Sequence, residues 1–320
     1  MSARYREADL SRIRTVPVGE RQNKVDPRLL ASVPATDRSF TAFLSSLPDV
    51  LAARDLRLVI DAVAHAQRAS RGVVILIGGH VVKVGLGPLV SAWLKRGIVT
   101  HVALNGAAAI HDFELAAYGG TSEDVESGLK DGSFGMAEET GAEMNAAIIA
   151  AAGAGRGMGE GLALALSERR QAPGGDVSIL LQAHRVGVPV TVHPAIGAEI
   201  IHQHPAVDGA ALGETAQRDF RRLAGSLPDL DQGGVAMNWG SAVILPEVFL
   251  KALTVARNLG GGRPTHFTAA DFDMQRHYRP RVNVVQRPTQ AGGAGYLLTG
   301  HHEILLPLLV WGVLDKLGER

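Results

Sequence analysis

Gly72-Val73-Val74-Ile75-Leu76-Ile77-Gly78-Gly79-His80-Val81-Val82-Lys83-Val84-Gly85-Leu86-Gly87 is the stretch whose reading decides the fold. Its first half is an unbroken β-branched and aliphatic run, the pattern of a strand covered on both faces. Its second half is a glycine-rich turn, and a helix is expected from Pro88, a residue suited to a first helical turn, to Gly97 as its stop. Glycines let backbone pass close to a ligand, and helix N-terminal amides attract anions. The turn is neither G-x-G-x-x-G nor a P-loop ending in G-K-[ST]. A tight turn without any ligand is the competing reading, and Lys83 could face a phosphate or simply solvent.

The same rhythm continues outward. Thr100–Leu104 reads as a second strand closing in Asn105-Gly106, with a helix from Ala108 to Tyr118 ended by Gly119-Gly120. Helices are expected at Asn145–Ala152, Gly161–Ser167, Ser178–Arg185, Ala210–Leu223, Leu245–Asn258 and Glu303–Leu317. Strands are expected at Val188–Val192, Gly234–Met237 and Val282–Gln286. Upstream, apolar residues at helical spacing predict two helices between Phe40 and Ala66, broken near Pro48. Strands alternating with helices imply a Rossmann-like, doubly wound, mostly parallel α/β sheet. Residues 1–38 carry Pro17, Pro27 and Pro34 without periodicity and read as an N-terminal arm, disordered or docked on a neighbouring subunit. Residues 39–320 read as one domain.

Composition narrows the function. Lysine plus arginine equals aspartate plus glutamate at 32 each, so nothing favours a nucleic-acid partner. Cysteine is absent, which removes disulfides, thiolate zinc sites and cysteine nucleophiles. No secretory leader is legible, and Ile304–Leu314 is far short of the roughly 20 residues a membrane span requires. A cytoplasmic protein with a small-molecule substrate is the expectation. No G-x-S-x-G elbow supplies a hydrolase nucleophile.

In a parallel sheet the ligand lies at the carboxyl ends of the strands. That rule places Gly78–Gly85, Asn105–Asp112, His193–His204, Asn238–Ser241 and Gln286–Gly295 on one rim. His111-Asp112 there reads equally as a proton-transfer or ribose-binding pair and as a helix-capping pair. His202 and His204, two apart, could share a metal, but no third ligand stands at matching spacing. His301-His302-Glu303 sits at a helix start, where capping and exposure are expected. Asp131-Gly132-Ser133-Phe134-Gly135 reads as a loop folding over the rim.

Taken in order, these segments resemble the deoxyhypusine synthase family over roughly residues 40–317. The resemblance is carried by Gly72–Gly97, by Asn105-Gly106-Ala107 through His111-Asp112, and by Pro189-Val190-Thr191-Val192-His193-Pro194-Ala195. Gly233-Gly234-Val235-Ala236-Met237 and Leu306-Pro307-Leu308-Leu309-Val310 complete it. It implies that family's type of sheet, NAD as cofactor, and a homotetramer with sites between subunits. It further implies cofactor contacts from Gly78, Gly79, His80, Lys83, Gly85, Asn105, Gly106 and His193. Catalytic or polar roles fall to His111, Asp112, Glu199 and Asn238, and Met237, Trp239, Asp271 and Asp273 would line the substrate.

In that family NAD oxidises the secondary amine of spermidine, and an active-site lysine takes up the butylamine group as an imine. Here Met237 stands at the lysine's position, and Asn238-Trp239 where the family has two histidines. Ala108 replaces an asparagine, and Lys251 lies about four turns along the next helix. A thioether forms no imine. The expectation is therefore an NAD-dependent enzyme on an amine or other small substrate, not transfer from spermidine to a protein lysine. A non-catalytic NAD- or nucleotide-binding module and a histidine-based metal enzyme are the alternatives.

Overall fold

The computed structural model describes residues 5–318. Residues 5–38 run as irregular chain with short 3-10 turns, and the large apolar side chains Leu10, Ile13, Val16 and Val33 stay exposed. The body begins with α1 (Phe40–Ser46) and α2 (Leu51–Arg68), separated around Pro48 as the sequence predicts. It then runs β1 (Val73–Ile77), α3 (Gly79–Lys83), α4 (Gly87–Lys95), β2 (His101–Asn105), α5 (Gly106–Tyr118), α6 (Val125–Asp131), α7 (Glu138–Gly153), α8 (Met158–Glu168), α9 (Ile179–Val186) and β3 (Val190–His193). The second half is α10 (Gly209–Ser226), β4 (Val235–Trp239), α11 (Ile244–Leu259) and β5 (Thr268–Asp273). A π-helical segment (Pro280–Gln286) follows, running into α12 (Arg287–Thr289), then β6 (Ala294–Thr299) and α13 (His302–Leu317).

The six strands among the described residues form one sheet in the order β3-β2-β1-β4-β5-β6, and every pairing is parallel. This is the strand order of dinucleotide-binding folds, with its reversal point between β1 and β4. The five side chains of β1 are fully buried, each worth about 1.5–3 kcal/mol on burial. Val73, Ile75, Ile77, Met237 and Trp239 point into the larger core shared with α2, α4, α5 and α13. Val74, Leu76 and Ala236 point into the opposite core, against α10, α11 and the π-helical segment.

Three sequence expectations are corrected. The glycine-rich turn is not open loop up to Pro88, because Gly79–Lys83 is itself a short helix. Val282–Gln286 is π-helical, not a strand; a short apolar β-branched run cannot by itself distinguish a buried helix from a strand. The last two strands on that side are instead β5 and the edge strand β6, whose alanines, glycine and aspartates are poor in intrinsic strand preference. Consequently Gln286–Gly295 lies at the amino edge, since Ala294 pairs with Thr268, the first residue of β5. The described residues include no helix long and apolar enough to cross a membrane.

Candidate functional site

A cavity of about 480 Å³ opens at the carboxyl edge beside β2 and β3. Its floor is α5, whose Ala107, Ile110, His111, Glu114 and Tyr118 face it. Lys83 at the end of α3 forms one wall. Phe134 and residues 120–125 form a cover, and Ala198–Ile200, after β3, close the far side. The sequence folds α5 there because the Asn105 side chain caps it, accepting from the Ala108 amide at 2.8 Å. Asn105 is thus spent on its own helix.

His111 is held by a short relay. Its Nδ1 lies 2.7 Å from the Thr121 hydroxyl, and that hydroxyl donates to Glu114. The other Glu114 oxygen accepts from Thr140 at 2.9 Å. Since Thr121 gives its proton to the carboxylate, it accepts from His111 Nδ1–H, and the lone pair falls on Nε2. Burial, helped by the positive charge of Lys83, lowers the His111 pKa to about 4. The ring is therefore a neutral acceptor at neutral pH. Thr121 and Glu114 carry no recognisable sequence motif; only the return of the 119–123 chain over α5 brings them together. Ser122, next to Thr121, holds a positive φ of 69°, which is costly for a residue with a side chain.

Glu199 reaches the end of β2 from the loop after β3. Its carboxylate accepts from the Ala195 amide at 2.9 and 3.2 Å. It lies so close to Gly106 that a Cβ there would overlap it. Burial raises the Glu199 pKa and lowers that of its neighbour His202, whose Nδ1 is 3.1 Å away. His202 Nδ1 is also contacted by the Gly197 amide, and His204 Nδ1 accepts from Ala206. The two histidines are committed to their own loop, and no three His, Asp or Glu among the described residues converge to hold a metal.

The other expected site residues lie elsewhere. Asp112 is buried and caps α9, accepting from Ser178 Oγ at 2.7 Å and from the amides of Ile179 and Leu180 at 2.7 and 2.9 Å. Burial pushes its carboxyl up to about 6 against the pull of those donors. The pair read in sequence as His111-Asp112 therefore divides, one residue to the cavity and the other to a helix cap, because neighbours on a helix point about 100° apart. His193 is buried in a chain with Thr191 (3.0 Å), His101 and Ser226, between the sheet and α10. Met237 and Trp239 are completely buried, and Trp239 packs on Trp93 with ring centroids 5.7 Å apart, so neither lines the cavity. Asn238 donates to Asp271 at 2.7 Å on the opposite face of the sheet, where burial and nearby Asp273 raise Asp271 to about 7.

At the β1–β4 reversal point the backbone is closed. A Cβ on Gly78 would overlap the Gly240 carbonyl. Gly240, at φ 69°, is covered by the His302 ring, which lies 5.6 Å from that of His80. His302 is 1% exposed, a correction to the exposed helix start read from the sequence. Gly85 has a positive φ and open space around it, so it shapes the turn without touching the cavity.

No protein-family model matches the chain, and no curated protein matches it. Solved structures do. An Entamoeba histolytica protein assigned as a deoxyhypusine synthase superposes with a TM-score of 0.52 at 9% identity, over 88% of this chain and 95% of that one. AgrE in its ternary complex with ornithine and NAD+ superposes with a TM-score of 0.50 at 17% identity, over 82% of this chain. The chain spans 34% of the length of AgrE. A LOR/SDH protein from Methanococcus maripaludis S2 gives 0.48 at 14% identity, over 89% of this chain and 73% of that one. At such identities the likeness is one of fold: a parallel α/β sheet flanked by helices, as in the deoxyhypusine synthase-like structure.

Proposed function

We propose that the protein is an NAD-dependent enzyme acting on an amine or other small substrate, by a route that uses no lysine imine. The observation that carries this is the position of Glu199. Dinucleotide-binding folds place a carboxylate at the end of the second strand to accept from the adenosine ribose hydroxyls. In this sequence that strand ends in Asn105, a helix cap, but Glu199 fills the place from the next loop, against the bare backbone of Gly106. The cavity beside it offers apolar walls for adenine in Ile110, Val125 and Phe134, and a cation for phosphate in Lys83. NAD supplies a hydride acceptor. The chain supplies a neutral His111 whose Nε2 can accept a hydrogen bond from a ribose hydroxyl or a substrate amine, and a cover that limits water.

Isothermal titration tests this reading. NAD and ADP-ribose are expected to bind, and Glu199→Gln to weaken both by about tenfold, the loss of one good charge-assisted hydrogen bond. No heat and no thermal shift at millimolar NAD overturns it. A second reading, an NAD-binding module without turnover, is favoured by one observation: the side chain of Met237 is sealed in the core, leaving no amine nucleophile on β4. NAD binding without reduction across a panel of amines and hydroxy acids would select it.

A further inference from the structure

Arg218, Arg221 and Arg222 follow one another at i, i+3 and i+4 near the end of α10, a spacing that sets side chains next to each other on a helix. With Gly155, from the turn between α7 and α8, they line a cavity of about 310 Å³. Arg222 also walls a second cavity, of about 390 Å³, at the amino end of β3. Apart from Glu160, that one is largely apolar, with Ala163, Val188, Pro189 and Val190 in its lining. Neither shares a residue with the 480 Å³ cavity. The guanidinium groups are only partly used. Glu214 takes Nη2 of Arg218 at 2.6 Å, and Glu160 takes Nη2 of Arg222 at 2.6 Å and Nε of Arg156 at 3.3 Å. Arg218 Nε is buried and unpartnered, and Arg221 has no hydrogen-bonding or charged partner among the described residues. Nor are these arginines caps of α7. Its last carbonyls, Ala150, Ala151 and Ala152, accept from the turn amides of Ala154, Arg156 and Gly155 at 3.0, 2.8 and 3.1 Å. Four arginines thus meet three acids, Glu160, Glu214 and Asp219. Burial pushes Asp219 up to about 7, so the group is net positive at neutral pH.

We propose that this face binds a phosphate monoester with an apolar body, the phosphate on Arg218, Arg221 and Arg222 and the body against Ala163, Val188 and Pro189. Guanidinium forks match phosphate oxygens two at a time, and such charge-assisted bonds are the strong ones. Three guanidinium groups on one cavity suit the three oxygens of a phosphate better than the two of a carboxylate. A buried donor without a partner costs stability, and an arriving oxygen relieves that cost at Arg218 Nε. Arg222, common to both cavities, joins the charged half of the site to the apolar half. The site stands apart from the cofactor cavity and does not rest on the NAD reading.

The test titrates the full chain calorimetrically with phenyl phosphate, inorganic phosphate and phenol. Phenyl phosphate has no ribose diol, so Glu199 gives it no foothold in the cofactor cavity. Wild type is expected to bind the ester about tenfold or more tightly than inorganic phosphate, and phenol not measurably. Arg218→Gln and Arg221→Gln should each weaken the ester about tenfold, the loss of one charge-assisted contact, while Lys83→Met leaves it unchanged. A loss in Lys83→Met with none in the arginine variants puts the anion in the other cavity and overturns the proposal. Inorganic phosphate bound as tightly as the ester means an adventitious ion only, and overturns it too, as does the absence of heat at millimolar phenyl phosphate. Arg221 is exposed, so its replacement spares the fold. Should Arg218→Gln fail to fold, ¹⁵N NMR of the arginine Nε–H groups in wild type decides. The Arg218 resonance must shift as phenyl phosphate saturates, and an unmoved one refutes the site.

Discussion

Replacing Asp112 by alanine separates the proton-transfer role read from the sequence from the capping role seen in the structure. The carboxylate satisfies two backbone amides and one hydroxyl at the start of α9, all at 2.7–2.9 Å and all buried. Each buried amide left without an acceptor costs about 1–3 kcal/mol, and a lost cap costs about 1 kcal/mol. At pH 5, where the acid is mostly protonated and still accepts, the expected loss of stability is about 2–4 kcal/mol. The loss depends on pH. Burial holds the folded pKa at about 6, well above the ordinary carboxylate value. A group raised in the folded state stabilises fully below its unfolded pKa, and this contribution fades as pH climbs through the folded value. Between pH 5 and pH 8 wild type should therefore lose about 1.4 kcal/mol that the variant does not, and the gap between them should shrink by that amount. Urea unfolding at both pH values reads this directly, with NAD affinity measured alongside. A variant as stable as wild type at pH 5 but unable to bind or reduce NAD would refute the capping argument and return Asp112 to the active site.

Gly106→Ala forces a Cβ into the Glu199 carboxylate; NAD and ADP-ribose binding should fall below detection in titration while unfolding shifts by no more than about 1–3 kcal/mol. Lys83→Met should raise the His111 pKa from about 4 by part of its depression only, since burial is the larger cause and the lysine charge the smaller; NMR titration of the ring reads it, and an unmoved pKa would show that the two side chains do not face each other. Thr191→Val takes away the hydroxyl that joins His101 and His193 at 2.9 and 3.0 Å, leaving one nitrogen of each buried ring without its partner while His101 keeps Ser226, at a cost of about 2–4 kcal/mol in urea unfolding. That substitution should leave NAD affinity unchanged, because the histidine chain lies on the α10 face and the cavity on the α5 face.

Much of the frame was legible because apolar patterning is a local property. The β1 run, the Gly119 stop of α5 and the glycine break between α7 and α8 all stand where the sequence puts them. The misread elements are those whose identity depends on neighbours. Thr268-Ala269-Ala270-Asp271-Phe272-Asp273 is a strand because β4 offers it a parallel edge, not because alanine and aspartate prefer extended chain. Val282–Gln286 is helical because α11 and the sheet enclose it, and its β-branched residues pack as well in one form as in the other.

The site shows the same division. The opening Gly72–Gly87 stretch by itself determines a buried strand, a close turn and a parallel sheet, since the solvation of an apolar run and the freedom of glycine need no partner to act. Its lysine does line a cavity, yet nothing within the stretch shows where that cavity lies. The carboxylate at the end of β2 comes from Glu199, more than ninety residues downstream. The base relay joins His111 to Thr121 and Glu114, and the plug over Gly240 is a histidine from the last helix. Only the tertiary structure could decide these, because each depends on desolvation and hydrogen-bond geometry between segments that chain order does not bring together.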